Sequence, residues 1–292
     1  MTYTIVIALV LASFVLVPLL QRKSKDPYGL WHSSLNKPAT TEWLNMGYWE
    51  DDNEFDFPRA CRALALRVIR AARCRPHGHI LDVGHATGDS LLMQLKDKDV
   101  ARPASLTGIT SLPVQHKRAR ERISNLETNI PVSLFCGDAV HRHRTEDHPF
   151  TRTSLRYSSI LAIDCAYHFE TRETFLRQAF DHLEDGGSIA LADLVIEPIP
   201  SYIVMMFFST FFGMHVKNIT TSTRYIATLH NIGYDDVEVE DISTYVFPKF
   251  TRFLRSRGGA FAAFSLSPTV WWSLGGRFVI VRASKPSRVK TK

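Results

Sequence analysis

The chain has 292 residues, 45% apolar and 22% charged, with a formal net charge of +6. That suffices for one large domain with appendages and a full core, and it excludes a disordered chain. The basic residues lie in short clusters (Arg22 to Lys25, Lys117 to Arg120, Arg142 and Arg144, and the tail from Lys285) with no basic face interleaved with aromatics, so no nucleic-acid partner is expected.

Residues 3–20 carry no charge and are rich in Ile, Val and Leu. At about 1.5 Å per residue they reach roughly 27 Å, close to the roughly 30 Å of a bilayer core. Arg22, Lys23 and Lys25 follow at once, whereas a cleaved signal peptide would carry its charge first and a small-residue site after. An uncleaved transmembrane anchor at 1–21 is therefore favoured over a signal peptide or a buried helix. The positive-inside rule puts the rest of the chain on the cytoplasmic side, at the endoplasmic reticulum in a eukaryote. Cys61, Cys74, Cys136 and Cys165 form neither a CxxC pair nor a zinc-spaced cluster, and read as reduced thiols.

Residues 22–58 form a polar lead-in punctuated by Pro and aromatics, and a helix is expected over 57–73. Apolar runs at 79–83, 105–110, 132–136, 158–163 and 188–196 then alternate with helical segments at 89–98, 115–125 and 171–183. Such alternation predicts a parallel, doubly wound sheet, and the unbroken apolar run at 158–163 marks a strand buried on both faces. Tyr202 to Val216, rich in Phe and Met, reads as a core helix or, preferably, as the lid of an apolar site. A helix at 223–230 and strands at 236–242 and 277–283 close the series, with a hairpin insertion as one arrangement.

The chemistry concentrates at Ile80-Leu81-Asp82-Val83-Gly84-His85-Ala86-Thr87-Gly88-Asp89. A glycine-rich turn between strand and helix lets backbone approach a ligand, and the helix N-terminus offers N–H donors. The dinucleotide fingerprint GxGxxG is broken by His85 and Ala86, and Asp82 would repel a pyrophosphate but suits a ligand carrying a cationic sulfonium. His141, His143 and His148 alternate with Arg142 and Arg144, so they read as a polar surface loop and no metal is expected.

These residues resemble the first motif of class I S-adenosylmethionine-dependent methyltransferases, Asp/Glu-x-Gly-x-Gly-x-Gly, with Ala86 where the middle glycine usually sits. The resemblance implies S-adenosylmethionine as cofactor and a Rossmann-like, doubly wound, seven-stranded, mostly parallel α/β sheet with a helical lid insertion after the fifth strand. With the anchor read from the apolar run (1–21), the chain divides into a lead-in over the cofactor site (22–58) and a methyltransferase domain (59–292), with 198–222 as the insertion; the resemblance covers residues 42 to about 197 well. Asn45-Met46-Gly47-Tyr48-Trp49 is similar to the Asn-x-Gly-Tyr-Trp lead-in of cyclopropane-fatty-acid-synthase-like and tocopherol- or ubiquinone-type methyltransferases, which implies Tyr48 and Trp49 over the cofactor. Thr110 and Gln115 match that group's ribose-binding pattern, while Gly137-Asp138-Ala139 matches its adenine motif. Gly84, Gly88 and Asp164 complete the implied cofactor set.

Leu161 to Phe169 ends in His168, just after the fourth strand, and Asp193 ends the apolar part of the fifth. The pair resembles the His/Asp base of small-molecule and sugar O-methyltransferases, and His168 also matches a pocket histidine of plant alkaloid N-methyltransferases. The expected enzyme methylates a small lipophilic acceptor on oxygen, with nitrogen or carbon as alternatives. The Asp164-Cys165-Ala166-Tyr167-His168-Phe169 string is similar to methyltransferases of fungal secondary metabolism. A catalytically silent scaffold on the same fold is the competing reading, prompted by Ala86 and the absence of an acid after Gly108.

Overall fold

A computed structural model describes residues 30–50, 55–142, 147–151 and 155–287. The apolar run at 3–20, and His143, Arg144 and Glu146 of the histidine-rich loop, lie outside the described residues. Among the described residues no helix is long and apolar enough to cross a membrane.

Seven strands make one sheet in the order β3-β2-β1-β4-β5-β7-β6. They are β1 (His79–Val83), β2 (Ser105–Thr110), β3 (Val132–Cys136), β4 (Tyr157–Ile163), β5 (Leu183–Ile196), β6 (Asp235–Asp241) and β7 (Gly276–Ser284). Strands β1 to β5 pair in parallel, with Leu81 level with Thr107 on one side and Ile160 on the other, and β7 inserts antiparallel between β5 and β6. The expected mostly parallel α/β sheet is thus observed. Its strand order reverses between β1 and β4, so the crevice at their carboxyl ends is where this architecture receives a ligand.

Nine α-helices are described: α1 (Phe57–Ala71), α2 (Asp89–Lys96), α3 (Pro113–Ser124), α4 (Arg172–His182), α5 (Tyr202–Phe212), α6 (Ser222–Ile232), α7 (Ser243–Arg257), α8 (Gly259–Phe264) and α9 (Leu266–Ser273). Their starts are written in the sequence. Asp56 accepts from the Arg59 amide to cap α1, Thr171 from Thr174 to cap α4, and Thr221 from Arg224 to cap α6. The buried faces of α1 and α7 pack on one side of the sheet with Trp49 and Trp271, while α4 and α6 cover the other with Phe175 and Tyr225.

Two expectations change. Strands β6 and β7 do pair as neighbours, but α7, α8 and α9 lie between them, where the sequence reading placed no helix. Val246, Phe247, Phe250, Phe253 and Leu254 are the buried face of α7, a helical spacing that could have revealed it. The expected lid at 202–216 is shorter: α5 stops at Phe212 because Gly213 turns left-handed at φ +61°. Phe208 is fully buried, its ring 4.8 Å from Trp271, so the inner side of α5 is core. Tyr202, Ile203 and Met206 point outward.

Candidate active site

The turn after β1 is the base of the site. Gly84 and Gly88 take φ of +76° and +96°, and Gly88 precedes the first residue of α2. Ala86, in the place of the usual middle glycine, itself adopts φ +49°. The turn is therefore kept in the left-handed form at a strain cost.

This turn forms one wall of a cavity of about 260 Å³. Its other walls are the end of β2 through Gln115, then Gly137–Ala139, the end of β4 through Phe169, and Glu42 to Asn45 from the lead-in. Thr110 Oγ1 donates to Gln115 Oε1 at 3.3 Å, joining β2 to the first turn of α3. Asp138 accepts from the Val140 amide at 2.8 Å, which fixes its carboxylate at the rim.

A second cavity, of about 340 Å³, adjoins the first. It is apolar: Phe212 of α5, Phe247, Phe250 and Leu254 of α7, and Phe261, Phe264 and Trp271 of α8 and α9 surround it. Leu44, Asn45, Asp164 and Tyr167 line both cavities.

His168 lies on the first cavity, in the 3-10 turn Ala166–His168. Its Nδ1 lies 2.8 Å from the Gly213 carbonyl, so Nδ1 carries the proton and Nε2 is the basic nitrogen. Burial lowers its pKa, while that carbonyl and the charge of Asp193 pull it back up. A neutral imidazole at neutral pH follows.

Asp193 does not hydrogen-bond His168, contrary to the expected pair. It is fully buried and accepts from Arg172 Nη1 at 2.8 Å, Tyr225 Oη at 3.0 Å and the Leu194 amide at 2.8 Å. Arg172, buried too, stacks its guanidinium 4.2 Å over the Tyr225 ring and donates to the Asn218 carbonyl at 2.6 Å. Asn218 in turn donates to the carbonyls of Tyr167 and Phe169, the residues flanking His168. Asp193 therefore anchors the frame that holds the His168 turn.

No family model matches the chain. It is 27% identical over 265 residues to 27-O-demethylrifamycin SV methyltransferase of Amycolatopsis mediterranei, covering 84% of this chain and 90% of that protein. It is 26% identical over 214 residues to erythromycin 3''-O-methyltransferase of Saccharopolyspora erythraea, covering 70% of this chain and 66% of that one. Mycolic acid cyclopropane synthase CmaA1, solved with SAH and CTAB, shares the fold at a TM-score of 0.66 and 13% identity, over 88% of this chain and 97% of that one. The chain is a class I S-adenosylmethionine-dependent methyltransferase. The departure at Ala86 that had prompted a silent-scaffold reading leaves its turn intact.

The first cavity of this methyltransferase fits the cofactor. Gly84 and Ala86 of the turn present backbone to this cavity, and the α2 N-terminus would offer amides to an anion. Gln115 and Asp138 line the cavity and would supply polar partners for hydroxyl and amine groups. Glu42 closes the rim: its carboxylate takes Nε and Nη2 of Arg118 at 2.9 and 2.6 Å, its amide donates to Asp89, and its carbonyl accepts from Thr87 Oγ1. The sequence reading missed Glu42, which only its pairing with α3 reveals.

Three expected cofactor residues sit elsewhere in the methyltransferase. Tyr48 stacks on Tyr245 at 4.7 Å under the Arg67 guanidinium, and Trp49 is buried among Phe57, Phe250 and Phe253. Neither lines the cavity, because Gly47 at φ +76° turns the chain away from it; residues 42–45 cover it instead. Asp82 lies behind the turn, fully buried, and accepts from Gln94 Nε2 at 2.8 Å. Burial raises its pKa to about 6, against the pull of Ser90 and Gln94. Asp82 thus ties β1 to α2. Gly88 shapes the turn without lining the cavity, whereas Gly84, Thr110, Gln115, Asp138, Ala139 and Asp164 all line it.

Proposed function

We propose that this methyltransferase methylates a hydroxyl oxygen of a small lipophilic acceptor. The observation that carries the reading is the pair of cavities meeting at Leu44, Asn45, Asp164 and Tyr167, one with polar cofactor partners and one walled by aromatic and aliphatic side chains. Curated relatives named as erythromycin 3''-O-methyltransferase, 27-O-demethylrifamycin SV methyltransferase and a fungal O-methyltransferase support an oxygen acceptor. An activated methyl needs alignment and exclusion of water, and a hydroxyl acceptor needs a base as well. His168 supplies it through Nε2, and Asp193 acts on it indirectly, through Arg172 and Asn218. Thr110, Gln115, Asp138 and Ala139 hold the adenosyl part of the cofactor.

In this reading residues 1–21 anchor the chain, the catalytic domain at 59–292 faces the cytoplasm, and the acceptor partitions into the membrane. A protein released by carbonate washing would remove the anchor from it. The chemistry is tested with S-adenosylmethionine labelled as CD3 and a panel of lipophilic alcohols, phenols and matched amines, read by mass spectrometry. A CD3 ether is the expected product; labelling of the amines alone would overturn the oxygen assignment. His168→Ala is expected to slow ether formation about 100-fold or more at saturating S-adenosylmethionine. Near-wild-type turnover in that variant would remove His168 as the base.

A further inference from the structure

With the cofactor in the first cavity and the acceptor in the second, the transferred methyl would have to pass at their shared wall, because an in-line displacement needs donor, carbon and accepting oxygen along one line in contact. The shared wall is Leu44, Asn45, Asp164 and Tyr167. The Asn45 amide is committed, donating to the Cys61 carbonyl at 3.2 Å and accepting from the Gly47 amide at 2.9 Å. Asp164 is the wall's one carboxylate. Its Oδ2 accepts from the Met46 amide at 2.7 Å and its Oδ1 from the Tyr167 hydroxyl at 3.0 Å. A carboxylate offers about four acceptor positions, so capacity is left on the cavity side. Among the described residues no Lys or Arg forms an ion pair with it, unlike Asp89 with Arg122 or Asp193 with Arg172.

Asp164 reaches this place through its backbone. Its amide donates to the Ala192 carbonyl at 3.0 Å, and its φ of +59° swings the chain out of β4 at the sheet edge. The sulfonium-complementing role that the sequence assigned to Asp82 is not open to that residue, which lies behind the turn.

We propose that Asp164 is the counter-charge to the cofactor's sulfonium, so that the site holds the charged methyl donor more tightly than the neutral thioether left after transfer. The inference rests on the reading that the first cavity holds the cofactor. In the transfer a bond forms between acceptor oxygen and methyl carbon, the carbon–sulfur bond breaks with its electron pair staying on sulfur, and the hydroxyl proton goes to His168 Nε2. The positive charge facing Asp164 is thereby cancelled, which favours release of S-adenosylhomocysteine. Burial, with a smaller push from the Asp193 charge, raises the Asp164 pKa to about 7, against the Met46 amide and Tyr167 hydroxyl that pull it down. The titratable groups that face it are Tyr167 and Cys165 of its own turn, Cys61 of α1, and Asp193 of β5, itself paired with Arg172.

The test is calorimetric titration of the full chain with S-adenosylmethionine and, separately, S-adenosylhomocysteine. Asp164→Asn is expected to shift the ratio of the two dissociation constants at least tenfold toward the neutral ligand, whereas Asp138→Ala weakens both in the same proportion. An unchanged ratio in Asp164→Asn overturns the proposal. If Asp138→Ala alters neither affinity, the cavity assignment itself fails. Should Asp164→Asn not fold, the wild type decides: its affinity for S-adenosylmethionine should rise with pH through about 7 relative to that for S-adenosylhomocysteine, and parallel pH profiles would refute the assignment.

Discussion

Replacing Asp193 by Ala separates the two roles this carboxylate could have. In the structure it accepts three hydrogen bonds and pairs with Arg172, both groups being almost wholly out of water. Removing one partner strands the guanidinium in a low-dielectric interior, which costs about 3–5 kcal/mol. The Tyr225 hydroxyl loses its acceptor too, but the guanidinium keeps the Asn218 carbonyl and the Tyr225 ring, which holds the cost toward the lower end of that range. Urea unfolding followed by circular dichroism should show a lower midpoint with an unchanged slope. The double variant Arg172→Met with Asp193→Leu should recover a large part of the loss, because no buried charge is left unpaired. Both expectations follow from an anchoring role. If Asp193→Ala were destabilised by less than about 1 kcal/mol yet lost turnover as fully as His168→Ala, the reasoning would be wrong and Asp193 would be the direct partner of the histidine.

Three further outcomes follow from the turn and its surroundings. Ala86→Gly relieves a left-handed alanine worth about 1–2 kcal/mol and adds a glycine's chain entropy of about 0.5–1 kcal/mol, so a net gain near 0.5–1 kcal/mol is expected in the same unfolding assay; a loss would show that the turn needs the methyl. Gly108→Ala would place a Cβ 2.8 Å from the His85 ring and 2.9 Å from Leu134 Cδ2, an overpacking of about 1–3 kcal/mol. His85→Ala in the same chain should relieve part of it, and strictly additive losses would refute the contact. His85 also has its pKa lowered to about 4, first by burial and then by His116. Between that value and the ordinary 6.5 the unfolded chain binds the proton and the folded one does not, so this residue's contribution to stability falls as pH drops from 6.5 to 4. The full effect is about 3 kcal/mol. His85→Leu should flatten that part of the stability–pH curve, and an unchanged slope would place the titration elsewhere.

The sheet was legible because its local signals agree. Strands β1, β2 and β3 begin and end where the runs do, since Gly or Pro bounds each one: Gly78 and Gly84 around β1, Pro103 and Pro113 around β2, and Pro131 and Gly137 around β3. Helix α7 escaped notice because Pro248 and several basic residues break up a stripe that the buried Phe250 and Phe253 nevertheless define. Arg172 escaped for another reason: an arginine read from sequence is taken to be exposed, and only the approach of Asp193, Tyr225 and Asn218 shows it buried.

The same distinction decides which carboxylate meets the cofactor. Asp82 and Asp164 stand near the carboxyl ends of neighbouring parallel strands, so sequence pattern puts both at the binding edge. Asp82 is still inside β1, fully buried and outside the cavity lining, with its Oδ2 held by Gln94 of α2. Asp164 is the first residue past β4, and a positive φ, which no periodicity encodes, leaves its carboxylate on the shared wall. Strand registry therefore specifies the edge at which chemistry occurs, whereas the backbone turn just beyond the strand selects the residue that performs it. A helix-side aspartate and a cavity-side aspartate on neighbouring strands are then not redundant: the first ties β1 to α2, and in the proposal above the second meets the cofactor's charge.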